Sequence, residues 1–341
     1  MTTRRQSLLT LSSALSSALL VACGGGGGGA LAETVPPAPP PPVPPPAPPA
    51  GWTRLADLPA GRAKFGAGAI AGKVVAAGGY DTLRSVLVYD VASNAWSNGP
   101  SLISGTDNVA VLAVGGRVHA IGGEARTAHQ VLDAALGAWA SAPASPAIRF
   151  ASAAAVLNGR LHLVGGWNYS NTASNSVDTH DVYDPATSTW SAAAPLATRR
   201  NAAAAAVVDG KLYVIGGRAP GIRASDQTSL ASVEVYDPAT NTWRAGPDLP
   251  QARSGAAAVA LGGKVYVLGG ESTPGGVRNA VSRLDPATDS WTELAGMPFS
   301  AHGLAAVVVD EAIVVMGGFT SASDAVGTES AQCWRFAPGA A

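Results

Sequence analysis

Four arginines fall at one register of a repeating chain. Arg62, Arg149, Arg200 and Arg253 each stand sixteen residues before a glycine pair, and the two other copies carry Thr106 and Ala301 there. One residue further on are Ala63, Asp107, Phe150, Asn201, Ser254 and His302. Directly after the glycine pairs come Tyr80, Glu124, Trp167, Arg218, Glu271 and Phe319. A ring of guanidiniums is suited to gripping carboxylates through paired hydrogen bonds. Glu124, Glu271 and His302 are the groups available for proton transfer, should there be catalysis. Tyr80 and Trp167 add flat apolar faces. The same arginine register admits a second role, in which the side chains bond loop carbonyls or a neighbouring repeat.

Other chemistries find no support. The five histidines give no pair with a carboxylate at metal-ligand spacing, so neither a metal nor a cofactor is expected. His119 and His162 occupy the column filled elsewhere by Tyr213 and Tyr266, and read as packing substitutes. There is no Gly-x-Ser-x-Gly elbow and no phosphate loop. Gly24 to Gly29 lacks the strand and the Lys-Ser/Thr pair that such a loop needs. The formal net charge is −1, so nucleic acid is not an expected partner. With only Cys23 and Cys333 there is no disulfide framework, and Cys333 reads as a small core residue.

These side chains need a scaffold, and the chain from residue 51 onward supplies one by repetition. Glycine pairs end short apolar runs at Gly78-Gly79, Gly122-Gly123, Gly165-Gly166, Gly216-Gly217, Gly269-Gly270 and Gly317-Gly318. Tryptophans follow at Trp96, Trp139, Trp190, Trp243 and Trp291, each seven residues after Tyr89, Leu132, Tyr183, Tyr236 or Leu284. Turn dipeptides such as Asn158-Gly159 and Asp209-Gly210 precede strands such as Lys211 to Ile215, the pattern of two-residue hairpins. The strand before each turn is built from small residues, which fits crowding around an axis.

A glycine pair, a Tyr and a Trp at fixed spacing, in six copies, resembles the kelch repeat. The resemblance implies an all-β, six-bladed kelch β-propeller over residues 51–341. The sixth copy runs out before its Trp, while Trp52 to Pro59 resembles Trp243 to Pro250. The N-terminal strand of the domain is therefore expected to close the last blade. The register then gathers Arg62, Arg149, Arg200, Arg253, Arg218, Trp167 and Tyr80 around the channel mouth as ligand-binding residues. Longer loops at residues 167–177 and 218–229 mark the same face. Galactose oxidase is also a kelch propeller, but needs copper, histidines and a Cys-linked tyrosine that this sequence does not offer. Periplasmic N-acetylneuraminate epimerases share the six-bladed kelch form and act on an anionic sugar. Two functions follow: a non-enzymatic module, expected to be monomeric, that recognises a protein or glycan at the mouth, or a sugar epimerase or mutarotase acting on an anionic sugar such as sialic acid.

The first fifty residues read as an address and a tether. Arg4 and Arg5 precede a short apolar stretch ending in Leu20-Val21-Ala22-Cys23, which resembles a bacterial lipobox. Residues 1–22 are then a lipoprotein signal peptide and Cys23 the lipidated residue. Thr3 to Leu9 also resembles a twin-arginine signal without its aromatic. Residues 23–50 hold a glycine run and a proline-rich spacer, of which the stretch 36–49 spans roughly 40 Å as polyproline II. The expected location is the cell envelope, outer membrane favoured by Gly24, with the lipid as the only membrane contact.

Overall fold

The computed structural model describes residues 47–339 except 169–175, 221–226, 274, 323 and 325–326. The signal, Cys23 and the tether up to residue 46 lie outside the described residues. From Ala47 the chain forms one compact unit. Among the described residues, apart from one 3-10 turn at Gly123–Ala125, the regular structure is all strand, in six four-stranded antiparallel blades and a two-stranded ribbon of Glu271–Ser272 and Gly276–Val277.

Blade one runs Gly66–Ile70, Lys73–Ala77, Val86–Asp90 and Ala95–Asn98, and blades two to five repeat this order. Their innermost strands are Ala110–Val114, Ala153–Leu157, Ala204–Val208 and Ala257–Leu261. Blade six takes Ala305–Val309, Ala312–Met316 and Cys333–Phe336 from the C-terminal end and Trp52–Arg54 from the N-terminal end. Trp52 lies opposite Phe336 in the ladder, and their rings stack with centroids 4.7 Å apart. The expected closure is therefore present, and Cys333 is buried beside it, its thiol pushed up to about 12 by burial.

Neighbouring blades meet through their glycine pairs. The second glycine of each pair donates its N–H to the carbonyl of the arginine-register residue in the next blade, as Gly166 does to Arg200 and Gly318 to Arg62, both at 2.8 Å. The first glycine has positive φ, and a Cβ on Gly317 would sit 2.4 Å from the Arg62 carbonyl. No side chain fits there. Just inside this contact, the six residues following the mouth register join in a closed circle of backbone hydrogen bonds. Lys64 donates to Gly303, Gly303 to Gly255, Gly255 to Ala202, Ala202 to Ala151, Ala151 to Asn108 and Asn108 to Lys64, at 2.7–3.1 Å. All six have positive φ, between 47° and 61°. In blades one to five the outer tryptophan ties its blade to the one before, as Trp243 does by donating Nε1–H to the Ala194 carbonyl at 2.7 Å, whereas Trp52 Nε1 in blade six has no partner among the described residues.

The four register arginines are not on the rim. Arg62, Arg149, Arg200 and Arg253 are all buried, with no more than 4% exposure. Each folds back into its own blade. Arg200 bonds the Gly216 carbonyl (3.0 Å), the Ser232 carbonyl (2.8 Å) and the Glu234 carboxylate (2.8 Å). Arg62 bonds Gly78 and Ser85, Arg149 bonds Leu163, Thr179 and Asp181, and Arg253 bonds Val267 and Ser282. The expectation that these four form the ligand ring is corrected here. The backbone turns between register n and n+1, so the arginine enters the blade while its neighbour faces the axis. Burial lowers all four guanidinium pKa values, to about 10 for Arg62 and Arg253. The arginines are staples across the ends of the middle strands.

His119 and His162 do fill the tyrosine column, but each bonds a second buried histidine. His119 Nδ1 lies 2.8 Å from His129 Nε2, and His162 Nδ1 lies 2.8 Å from His180 Nε2. Their outer members lie 3.2 Å from the carbonyls of Pro143 and Ala194 and stand edge-on to Tyr183 and Tyr236 of the next blade. Burial pushes the imidazoles down to about 4, and His180 to about 3.

Two outcomes follow. Replacing Arg200 by Ala removes the counter-charge of the buried Glu234 carboxylate and the donor to the Gly216 carbonyl, and should lower unfolding free energy by about 3 kcal/mol or more in denaturant titration. An unchanged midpoint would return Arg200 to the solvent. For the histidines, native pKa values lie below the unfolded 6.5, so the unfolded chain takes up protons first as pH falls. Their contribution is full above pH 6.5 and is lost between 6.5 and about 4. The melting temperature should drop across that window, before most carboxylates titrate. Changing His162 to Tyr and His180 to Val, the residues of blade four, should flatten the drop; an identical slope would remove the pairs as its source.

Candidate functional site

Where the innermost strands begin, short bridges bring two registers side by side. Phe150 pairs with Trp167, Asn201 with Arg218, Ser254 with Glu271 and His302 with Phe319. The result is a cavity of about 320 Å³ at the channel mouth, floored by the hydrogen-bonded circle. Of the residues expected at the mouth, Tyr80, Trp167, Arg218, Glu124, Glu271 and His302 line it. The four staple arginines do not.

The two sides of the cavity differ. One side carries a chain of charges: Arg218 pairs with Glu271, whose Oε1 lies 3.3 Å from His302 Nδ1. His302 Nε2 faces the Ser321 carbonyl at 2.9 Å and Asp324 at 3.7 Å, and Asp324 binds Lys64 at 2.7 Å. Arg218 also donates to Ser254 Oγ at 3.0 Å. Glu271 and His302 are thus tied within the wall, and Arg218 is one-quarter exposed toward the cavity. Lys64 lies over the Tyr80 and Phe319 rings, 5.6 and 5.8 Å from their centroids. The other side has Phe150, Trp167, the exposed Glu124 and a residue sequence reasoning did not single out, Asp107.

Asp107 is 7% exposed, and its Oδ1 meets no hydrogen-bond donor among the described residues. Burial raises its pKa, against the pull of Asn108 and Lys64. Its place in the n+1 register beside Asn201 and His302 was the available signal. Asn201 fixes the cavity edge through Ser176 Oγ at 2.7 Å and Gln227 Oε1 at 3.3 Å. Among the described residues no group of three or more metal-ligating side chains converges.

The comparisons with known proteins agree with this architecture. The KLHDC2/KLHL20/DRC7 Kelch-repeats domain model matches residues 151–338, and a Kelch motif model matches residues 61–103. Human Kelch-like protein 33 is 36% identical over 104 residues, covering 30% of this chain and 18% of that protein. Mouse Kelch-like protein 40 is 27% identical over 228 residues, covering 65% of this chain and 28% of that protein. The chain spans less than a third of the length of these curated relatives. The solved structure of YjhT superposes with a TM-score of 0.67 at 14% identity, covering 82% of this chain and 96% of that one. Six closed blades, glycine-pair contacts between them and a family match over more than half its length make this chain a member of the kelch-repeat β-propeller family.

Proposed function

We propose that this propeller is a binding module whose channel mouth takes one terminal sugar residue or a polyhydroxyl group of similar size. Kelch propellers commonly act as interaction modules, so binding is the family's general role. The observation that carries the sugar reading is the cavity itself. About 320 Å³ suits a compact ligand, and its two sides offer what such a ligand presents. Aromatic faces at Trp167, Phe150 and Tyr80 suit C–H faces, while Arg218, Asn201, Lys64 and Asp107 suit hydroxyls or a carboxylate.

Asp107 supports a second reading. A buried carboxyl with a raised pKa and a bare Oδ1 at a cavity is placed for acid–base work. That favours the epimerase or mutarotase alternative on an anionic sugar. We further propose that Cys23 is lipidated and holds the propeller at the cell envelope, on the Leu-Val-Ala-Cys run ahead of the glycine–proline spacer.

A glycan screen followed by titration tests the mouth. Trp167→Ala should weaken the captured sugar by about tenfold or more with little change in melting temperature. Binding at full strength in that variant would sink the mouth reading. If the protein speeds exchange between sialic acid anomers, and Asp107→Asn abolishes that, the module is an enzyme. For the tether, Cys23→Ala should move the protein from the membrane to the soluble fraction of cells. A wild type already soluble overturns it.

A further inference from the structure

On the face opposite the mouth, blades two and three enclose another cavity of about 320 Å³. Three repeat positions are mismatched around it. In blade one, Tyr89 donates to Asn94 Oδ1 (2.7 Å), which also accepts the Ala56 N–H (2.9 Å). Blade four repeats this clasp with Tyr236, Asn241 and Ala194, at 2.8 and 2.9 Å. In blades two and five the Ala position is Pro100 or Pro247, which has no N–H, and the tyrosine is correspondingly Leu132 or Leu284. Blade three keeps the tyrosine but loses both partners. Pro143 stands for Ala and Ser188 for Asn. The Tyr183 hydroxyl is left without a hydrogen bond among the described residues, and it lines the cavity.

Three more groups converge there. Lys73, Arg160, Lys211 and Lys264 each form an ion pair with the Asp that closes the neighbouring strand. Arg117 and Asp133 hold the same register opposite one another, yet form no ion pair. Both are exposed and line the cavity. At its base lies His119, 2% exposed. The Pro143 carbonyl can only accept, so His129 Nδ1 carries hydrogen and its Nε2 is bare. His119 Nδ1 therefore donates, and His119 Nε2 presents a lone pair with no partner.

We propose that this inter-blade cavity binds a small zwitterion of the α-amino acid class. Arg117 takes the carboxylate, with the Tyr183 hydroxyl as a second donor. Asp133 and the bare His119 Nε2 both require N–H donors, which an ammonium group supplies. A zwitterion engages both exposed charges and the buried His119 Nε2 at once, which a simple anion or a simple cation does not. Val131, Ala140 and Pro185 give the ligand's side chain an apolar wall.

Titration calorimetry of the full chain against a panel of the free α-amino acids tests this. At least one should bind with one-to-one stoichiometry, and its methyl ester or N-acetyl form should bind about tenfold more weakly, having lost one charge-assisted contact. Ser188→Asn rebuilds the tyrosine bond of blades one and four and so occupies the Tyr183 hydroxyl. It should keep or raise the melting temperature and weaken the binding about tenfold, as should Asp133→Asn. Trp167→Ala, on the opposite face, should leave it unchanged. No binding by any member of the panel at millimolar concentration, or binding at full strength in Ser188→Asn, overturns the proposal.

Discussion

Everything in this propeller depends on how closely one blade can approach the next. The glycine pair sets that distance. With no Cβ on the first glycine, the backbone of one blade lies directly against the first-strand carbonyl of its neighbour, and the second glycine converts that approach into a hydrogen bond. A methyl group at any of these positions would wedge the interface open. The same spacing permits the circle from Lys64 through Gly303 and back, whose members link six different blades. Such a circle has no tolerance for one blade standing further out than the others. The diameter of the mouth is therefore a consequence of six glycine contacts rather than of the residues that line it.

Charge is distributed around this constraint in two populations. The register arginines are consumed inside the blades, where each holds carbonyls left bare at the ends of the middle strands. Blade two, which has Thr106 in place of arginine, does the same work with smaller groups: Thr106 Oγ1 donates to the Gly122 carbonyl at 2.8 Å, and Gln130 bonds the Ser104 backbone. The charges that reach the mouth come from other registers and lie mainly on one side, from Arg218 to Lys64. The site is thus asymmetric although the scaffold is nearly sixfold.

The scaffold was legible in the sequence because it is periodic. Fixed intervals between glycine pair, tyrosine and tryptophan specify the blade, and the mismatch between the ends, Trp52 without its blade and Phe336 without its tryptophan, specifies the closure. The site was legible only by register. Counting placed Tyr80, Trp167, Arg218 and His302 at the mouth, but one register carries two faces, and the arginines stand on the wrong one. Asp107 was placed in its register but not chosen, because its importance comes from burial and a missing donor, neither of which spacing reveals. The histidine pairs escaped for a similar reason. His119 and His129 are ten residues apart in sequence, and only the antiparallel ladder makes them neighbours. The blade-three mismatch needs three positions read together, one of them contributed by the preceding blade.

The shared sixth blade also imposes an order of events. Trp52–Arg54 is the first strand of the domain to be synthesised and the last that can find its place, since Cys333–Phe336 is made only at the end. Blades one to five can form as the chain emerges, each from local hairpins, whereas the final pairing must bring together segments separated by nearly the whole domain. Until then Cys333–Phe336 offers an open strand edge, and Trp52 leaves its apolar face in water. A second molecule at the same stage presents the complementary strand. At high concentration two chains can therefore exchange these strands and close each other through the very contact that seals a single chain.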